Sequence, residues 1–185
     1  MCANLVKKGE IDEFRENGKK FLGEWNVHGV NPAIRWKEMR NNYRQGFNFF
    51  IIKTCSWLPP SKLKNWLYRR IGVTIGKNVS ISPDVFLDPI YPELIMLEDN
   101  VILGWGSVIF THELTNTKIR IGSVRVRKNS MVGEMALVRP GTEIGENSLV
   151  AAMSFVNKDV GSYEEVGGVP EHLIKRVKRR GFKSK

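Results

Sequence analysis

The sequence is poor in the residues that build disulfide or metal-held scaffolds. Its 185 residues include only two cysteines, Cys2 and Cys55, and three histidines. Two cysteines exclude a disulfide framework and a cysteine-rich zinc module, and they fit a reducing compartment. Three histidines leave little room for a histidine-built metal site. We therefore expect no metal cofactor.

The chain also lacks a long hydrophobic run. Its most apolar segment, residues 47–58 (FNFFIIKTCSWL), contains a lysine and is far shorter than the ~20 residues that a spanning helix needs. The N-terminal residues have no apolar stretch typical of a signal peptide. These features predict a cytoplasmic protein that is at most peripheral to the inner face of a membrane.

Basic residues outnumber acidic ones, 29 to 19, and their excess lies at the two ends of the chain. Residues 1–70 carry a net charge of +8, residues 71–174 of −5, and residues 175–185 of +7. A nucleic-acid-binding domain would have its basic patch on the folded face, so we expect no nucleic-acid partner. The basic tail fits either a solvated end or a phosphate-binding segment.

The middle of the chain is a repeat in which an aliphatic residue recurs every six positions. The clearest run is Val126, Val132, Val138, Ile144, Val150 and Val156. This period fits neither an α-helix nor a hairpin sheet, and it is typical of a parallel β-helix with three hexads per turn. We expect each aliphatic residue to stack on its equivalent 18 residues away, as Val126 on Ile144 and Val132 on Val150. Residues 71–161 then give about five turns.

Two breaks interrupt the six-residue register. About four residues are inserted around 88–92, and a loop leaves the prism around Glu113–Ser123, next to His112. In solenoids, insertions form loops that often carry function.

The flanking segments have helical patterns. Trp36, Met39, Tyr43 and Phe47 form one stripe, Pro59-Pro60 ends that segment, and Ser61 can cap a second helix. We therefore predict a mainly β protein with an N-terminal helical extension (1–70), a β-helix domain (71–161) and a C-terminal link, short helix and basic tail (162–185). Trp, Phe and Ile beside Lys and Arg in residues 33–70 favour either packing on the prism or a subunit, or peripheral contact with anionic lipid.

Residues 125–160 with the tail EVGGVPEHLIKRV resemble the hexapeptide-repeat acyltransferases with a left-handed β-helix, of the galactoside and maltose O-acetyltransferase type. The segment DNVILGWGSVIFTHE resembles their catalytic turn, with His112 at the histidine position. The resemblance implies transfer of an acyl group from acetyl-CoA to a carbohydrate hydroxyl, with His112 as general base. It also implies a homotrimer whose active sites lie between two prisms.

The same resemblance assigns candidate binding residues. Asp88 and Trp105 are candidates for the acceptor side, where Asp88 would orient a hydroxyl or the histidine and Trp105 would stack on a sugar ring. The positions implied for CoA contacts are Glu134, Ala152, Asn157, Lys158, His172 and Lys175.

Three residues depart from the small side chains that are usual along the pantetheine path: Glu134, Met135 and Met153. The two methionines are 18 residues apart and should stack on adjacent turns. If their side chains fill the groove, the protein is a non-catalytic scaffold on the same prism. A γ-type carbonic anhydrase shares this prism but needs three zinc histidines in it, which the sequence does not offer.

Overall fold

The computed structural model describes residues 8–17, 19–26 and 39–177. The basic tail beyond residue 177 lies outside the described residues. So do residues 33–38 of the segment 33–70, for which packing or peripheral lipid contact is predicted. In chain order the elements are α1 (Lys8–Glu16), β1 (Phe21–Asn26), α2 (Asn42–Trp57), α3 (Lys62–Arg70), β2 (Thr74–Ile75), β3 (Ser80–Ile81), β4 (Phe86–Leu87), a 3-10 helix (Pro92–Leu94), β5 (Ile95–Leu97), β6 (Ile102–Leu103), β7 (Val108–Ile109), β8 (His112–Leu114), β9 (Lys118–Gly122), β10 (Val124–Val126), β11 (Met131–Val132), β12 (Leu137–Val138), β13 (Thr142–Ile144), β14 (Leu149–Val150), β15 (Phe155–Val156), β16 (Glu164–Gly167) and β17 (His172–Arg176).

Short parallel strands form a three-sided prism. Face 1 consists of β2, β5, β10 and β13, face 2 of β3, β6, β11, β14 and β16, and face 3 of β4, β7, β12 and β15. The described residues therefore contain four complete turns and, through a bridge from Ile144 to Val160 and through β16, part of a fifth. The predicted stacking of Val126 on Ile144 and of Val132 on Val150 is confirmed.

The hexad period follows from what the interior accepts. The inward aliphatic residues, from Ile81 to Val156, are almost completely buried in one continuous core. The glycine that often follows them is required by the next turn: a Cβ at Gly104 or Gly133 would lie 2.6 Å from a backbone nitrogen of that turn. Aliphatic packing and close backbone approach together fix the register.

The corners of the prism need a left-handed backbone. Asn78, Asn100, Asn129 and Asn147 occupy successive corners between faces 1 and 2, with φ of 54° to 59°. Their side chains form a ladder, in which the Asn100 amide donates to Asn129 Oδ1 at 2.9 Å. Asparagine tolerates this conformation well, so a polar ladder stabilises this edge.

Met135 and Met153 occupy left-handed positions that suit asparagine better, with φ of 55° and 57°. We expect Met135→Asn with Met153→Asn to raise the free energy of unfolding by about 1 kcal/mol for each site, because the short amide side chain of asparagine can hydrogen-bond locally in this conformation. That increase corresponds to about 2–4 °C per kcal/mol in a thermal melt. The control is Met131→Asn in strand β11, where no gain is expected; an equal gain there would contradict the argument.

The two predicted breaks become ordered structure. The first contains the 3-10 helix Pro92–Leu94. The second is the β8–β9 hairpin, and β9 also pairs antiparallel with β1 from the N-terminal region. Ile11, Phe14, Tyr91, Leu94 and Ile121 share a second buried cluster, so the N-terminal region packs on the insertions.

Helices α2 and α3 cover the N-terminal end of the prism. Ser61 accepts a hydrogen bond from the Lys64 backbone nitrogen at 3.2 Å, as its predicted capping role requires. Ile52, Cys55 and Tyr68 join the core of the prism. Lys64 is buried as well; its ammonium donates to the carbonyls of Leu58 and Ser82, and burial lowers its pKa to about 8.

Only part of the predicted stripe of residues 36–47 packs on this chain, so the alternatives of a subunit contact and a lipid contact stay predictions for the rest. Met39 is buried, but Tyr43 and Phe47 are exposed, and Trp36 lies outside the described residues. The buried residues of helix α2 are instead Gln45, Asn48, Ile52, Cys55 and Ser56.

The short C-terminal helix predicted within residues 162–185 is wrong where the structure describes this segment. Residues His172–Arg176 form strand β17, which pairs antiparallel with β16. Strand β16 is the last strand of face 2, so its outer edge would leave backbone groups unpaired without a further strand. Strand β17 pairs with that edge. A helical pattern in the local sequence does not anticipate this pairing.

Candidate active site

Asp88 and His112 are 24 residues apart but follow adjacent strands of face 3. Leu87 of β4 pairs with Ile109 of β7, and the Asp88 backbone nitrogen donates to the Ile109 carbonyl at 3.0 Å. Each residue stands where the chain leaves the prism for one of the two insertions. The insertions therefore begin at neighbouring points and bring the two side chains together.

The Asp88 carboxylate is completely buried and accepts hydrogen bonds on both oxygens. Oδ1 accepts from the Ile90 backbone nitrogen at 2.8 Å. Oδ2 accepts from the backbone nitrogens of Thr111 and His112, at 2.9 and 3.1 Å, and from the Thr111 hydroxyl at 2.9 Å. Oδ2 also contacts His112 Nδ1 in a short hydrogen bond.

These contacts change the pKa of both partners. Burial is the largest single influence on Asp88 and opposes its ionisation. The nearby His112 and the hydrogen bonds from His112, Ile90 and Thr111 outweigh burial, so the Asp88 pKa is lowered. For His112, burial again is the largest influence and opposes the charge, but the Asp88 carboxylate outweighs it and raises the pKa above 6.5.

The geometry leaves one nitrogen of His112 for chemistry. With Asp88 ionised, Nδ1 carries the proton that is donated to Oδ2, so Nε2 of the neutral ring has a free lone pair. The side chain is 17 % exposed, and its ring meets the Phe110 ring edge-on with centroids 5.9 Å apart. A histidine held in this tautomer and orientation is suited to act as a general base.

The sequence leaves two roles open for Asp88, contact with an acceptor and orientation of the histidine. Because its side chain has no exposed surface in the chain, contact with an acceptor is not supported. Its carboxylate contacts His112 instead, which is the geometry that orientation of the histidine requires.

Further residues follow His112 along the same edge, between faces 3 and 1. Backbone hydrogen bonds step from Phe110 to Val138 and from Arg139 to Val156, so Arg139 and then Asn157 and Lys158 occupy the next two turns. We call Asp88, His112, Arg139, Asn157 and Lys158 the histidine edge. Turns spaced ~4.8 Å apart place Lys158 about 10 Å along the edge from His112.

Other predicted residues lie on a different edge, between faces 2 and 3. The Met135 nitrogen donates to the Trp105 carbonyl and the Met153 nitrogen to the Glu134 carbonyl, both at 2.8 Å. We call Trp105, Glu134, Met135, Ala152 and Met153 the methionine edge. The Trp105 indole donates to Asp84 at 2.9 Å, at the opposite end of β7 from His112. Within one chain, Trp105 therefore does not join the histidine.

The remaining predicted contacts lie on the C-terminal hairpin. His172 begins β17 and is exposed. Lys175 also lies on β17, and its ammonium forms an ion pair with Glu165 at 3.1 Å. Both lysines have a carboxylate neighbour, but Glu171 lies 4.0 Å from the Lys158 ammonium, which is farther than Glu165 lies from Lys175. The Lys158 side chain is 71 % exposed, so its charge is less compensated and can meet an anionic ligand.

Sequence reasoning missed Arg139 and Glu171. Arg139 follows Val138 as Asp88 follows Leu87, and its guanidinium bonds Glu113 at 2.6 Å; aligning the hexads would have placed it on the histidine edge. Glu171 is buried, accepts from the Asn157 backbone nitrogen at 2.9 Å, and lies 4.0 Å from the Lys158 ammonium. No sequence signal distinguished it from a surface glutamate.

Two kinds of feature are absent from the described residues, a group of metal ligands and a membrane-spanning helix. No group of three or more His, Cys, Asp and Glu side chains is arranged to hold a metal ion within the described ranges. Among the described helices, none is long and apolar enough to cross a membrane.

Comparisons with known proteins give the arrangement its context. No family model matches the chain. YvoF of Bacillus subtilis, whose name assigns it provisionally to the acetyltransferases, is 35% identical over 151 residues, which cover 81% of this chain and 83% of YvoF.

Solved structures share the fold. The hexapeptide-repeat acetyltransferase VCA0836 of Vibrio cholerae, complexed with acetyl-CoA, has a TM-score of 0.56 at 17% identity and covers 81% of this chain and 93% of its own. A galactoside acetyltransferase in complex with CoA has a TM-score of 0.57 at 18% identity and covers 91% of each chain. The fold is that of the left-handed β-helix.

Proposed function

The chain belongs to the hexapeptide-repeat acetyltransferases, and from that premise we propose that it transfers the acetyl group of acetyl-CoA to a hydroxyl of a carbohydrate or glycan, with His112 as general base. The observation that carries the proposal is the buried Asp88–His112 pair. A sugar hydroxyl is a poor nucleophile near neutral pH, and a histidine with a free Nε2 can remove its proton as it attacks. The galactoside acetyltransferase of the same fold supports a carbohydrate acceptor.

In the proposed reaction, the acceptor oxygen forms a bond to the thioester carbonyl carbon while its proton moves to His112 Nε2. The carbon–sulfur bond then breaks, and the proton passes from Nε2 to the CoA sulfur. The imidazole is positively charged between these steps. The Asp88 carboxylate stabilises that charge and keeps Nδ1 protonated, so the ring presents the same nitrogen throughout.

The histidine edge offers a path for the donor. An extended thioester arm along this edge carries its phosphate end past Lys158, whose exposed ammonium is suited to a charge-assisted hydrogen bond. We propose that Asn157 and Lys158 contact CoA from this side.

We expect Lys158→Ala to weaken acetyl-CoA binding about tenfold, because one phosphate contact is worth about 1.4 kcal/mol or more. Isothermal titration calorimetry with acetyl-CoA measures the dissociation constants of the wild type and the variant. Lys128→Ala is the matched control, because Lys128 is also an exposed lysine near a glutamate, Glu146 at 3.4 Å. Equal loss in both variants would mean that only net charge matters.

The separation of the two edges supports a homotrimer. Trp105, Glu134 and Ala152 lie on the methionine edge, away from His112 of the same chain. If copies associate side by side, the methionine edge of one copy completes the site at the histidine edge of the next. We propose that Glu134, Ala152, His172, Lys175 and Trp105 act in that composite site.

A second candidate is a non-catalytic scaffold on the same prism. It is favoured by the Met135 side chain, whose Sδ lies 2.5 Å from the position that a Cβ on Gly106 would take. Met135 thus covers the corner at which a pantetheine arm would need small residues. Methionine is flexible, and a change of the Met135 rotamer would open this corner for a pantetheine arm.

The test of the proposed function uses the purified full chain with acetyl-CoA and a panel of saccharides. Micromolar binding of acetyl-CoA and acceptor-dependent release of free thiol are the expected results. No binding at millimolar CoA would favour the scaffold. Thiol release without any dependence on saccharides would retain the donor and overturn the carbohydrate acceptor.

A further inference from the structure

Helix α2 exposes aromatic residues where an ordinary surface helix exposes polar ones. Tyr43, Phe47, Phe50 and Trp57 are 91, 56, 66 and 86 % exposed. Their spacing of four, three and seven residues places them on one side of the helix. The polar residues Gln45, Asn48 and Ser56 are buried on the opposite side.

Helix α3 exposes apolar side chains as well. Leu63 and Trp66 are 58 and 48 % exposed. The Arg70 guanidinium lies over the Trp66 ring, 4.8 Å from its centroid. We call six of the exposed apolar side chains of the two helices the aromatic face: Tyr43, Phe47, Phe50, Trp57, Leu63 and Trp66.

The aromatic face carries charge of one sign only. Arg44, Lys53, Lys62 and Arg70 are exposed on the same two helices. No aspartate or glutamate occurs between Met39 and Pro83. Among the described residues, no carboxylate forms an ion pair with any of these four cations.

We propose that the aromatic face docks the protein on the surface of a membrane that contains anionic lipid. Tyrosine and tryptophan rings are suited to the headgroup region, phenylalanine and leucine to the acyl boundary, and the flanking cations to anionic headgroups. The helices attach to the prism by their other side, through Ile52, Cys55 and Tyr68. The aromatic face is therefore free to contact a surface.

Charge complementarity favours lipid over a second copy of the chain as the occupant. In the proposed homotrimer the histidine edge and the methionine edge meet, and no residue of the aromatic face belongs to either edge. In a further, two-fold contact the same patch would meet itself, so the cations of the two copies would face each other with no acidic residue from this face to neutralise them. Lysine is also depleted in protein–protein interfaces. An anionic bilayer supplies both the negative charge and the apolar layer.

The experiment is co-sedimentation of the full chain with vesicles of phosphatidylcholine alone or with about 30 % phosphatidylglycerol, at low and high salt. We expect at least about tenfold tighter binding to the anionic vesicles and a loss of binding as salt rises. Phe47→Ser with Phe50→Ser should weaken binding at least about tenfold. The matched control is Leu173→Ser with Ile174→Ser, two apolar residues that are each 49 % exposed on strand β17.

Each result decides the proposal. Equal binding by the two double variants, or no binding of the wild type to anionic vesicles, would overturn it. If Phe47→Ser with Phe50→Ser dissociates an oligomer in sedimentation velocity and lipid binding is absent, the aromatic face is a protein interface. Thermal melts confirm that both double variants are folded. Acetyl transfer to a soluble acceptor, measured without vesicles, is independent of this outcome.

Discussion

Replacing His112 with asparagine is expected to lower kcat for acetyl transfer about 10²–10⁴-fold, the usual contribution of a positioned general base. Asparagine is the informative replacement, because its side-chain amide can still donate to Asp88 but offers no Nε2. Affinity for acetyl-CoA should stay within about twofold, since the loss concerns proton transfer and not donor binding. Thiol release with a saturating saccharide acceptor, beside calorimetry with acetyl-CoA, separates the two quantities.

His112→Ala provides the comparison for stability. It leaves the buried Asp88 carboxylate without its charged neighbour, a change that costs about 3–5 kcal/mol where a buried pair is broken. Asp88 keeps the hydrogen bonds from Ile90 and Thr111, so we expect a loss near the lower end. His112→Asn should lose less. If both variants retain full kcat, His112 is not the base; partial rescue of His112→Ala by added imidazole would support the assignment.

The pH dependence of the wild type follows from the raised pKa of His112. Since Nε2 must be unprotonated to accept a proton, kcat/KM should rise with pH and level off only above an apparent pKa that is higher than 6.5. The stabilisation that comes from protonating His112 has the opposite direction. While Asp88 is ionised, it is fully present below about pH 6.5 and is lost as pH rises through the raised pKa of the folded state. The Asp88 pKa is lowered, so the share of Asp88 is present at higher pH and is lost as pH falls through that lowered pKa.

The fold was predictable because one residue in six is dictated by the core. Val126, Val132 and Val150 each have one inward position, and a shift by one residue would turn them to solvent. The register of the prism therefore follows from the sequence alone. Strand β17 was not predictable in this way, because its partner is the free edge of β16 and its own residues are exposed. The sequence pattern of these exposed residues therefore does not indicate that they pair with β16.

The sequence singles out one residue of the candidate site, but it does not predict how the candidate site is arranged. His112 is indicated by the resemblance and by the break that begins next to it. The role of Asp88 depends on a pairing between β4 and β7 across the first insertion, and an Asp-Pro sequence is equally typical of a turn. Trp105 shares one sequence motif with His112, whereas the structure places the two at opposite ends of β7. Residues that are about one hexad apart in the sequence lie on different edges of the prism.

Asp88→Asn is expected to lower kcat about 10²–10³-fold and to lower the apparent pKa of the kcat/KM profile below 6.5. The carboxylate is what raises the His112 pKa against burial; a neutral amide leaves burial unopposed. The imidazolium that forms during transfer then also loses its buried counter-charge. The rate therefore falls although more of the histidine is unprotonated near neutral pH.

The fall in kcat and the fall in the apparent pKa together distinguish an electrostatic role of Asp88 from a structural one. In Asp88→Asn the new amide group would face a backbone donor on each side, because Oδ1 and Oδ2 both accept backbone N–H groups in the wild type. We therefore expect a loss of about 1–3 kcal/mol in the free energy of unfolding as well. Misfolding alone lowers kcat without moving the pKa of the remaining active enzyme.

The control for this variant is Asp99→Asn, which removes an exposed carboxylate whose Oδ1 also accepts a backbone nitrogen. It should leave the pH profile unchanged, because this carboxylate lies away from the Asp88–His112 pair on another edge of the prism. An unshifted profile in Asp88→Asn would mean that the aspartate only shapes the insertion, and that the charge on His112 during transfer is stabilised by another group.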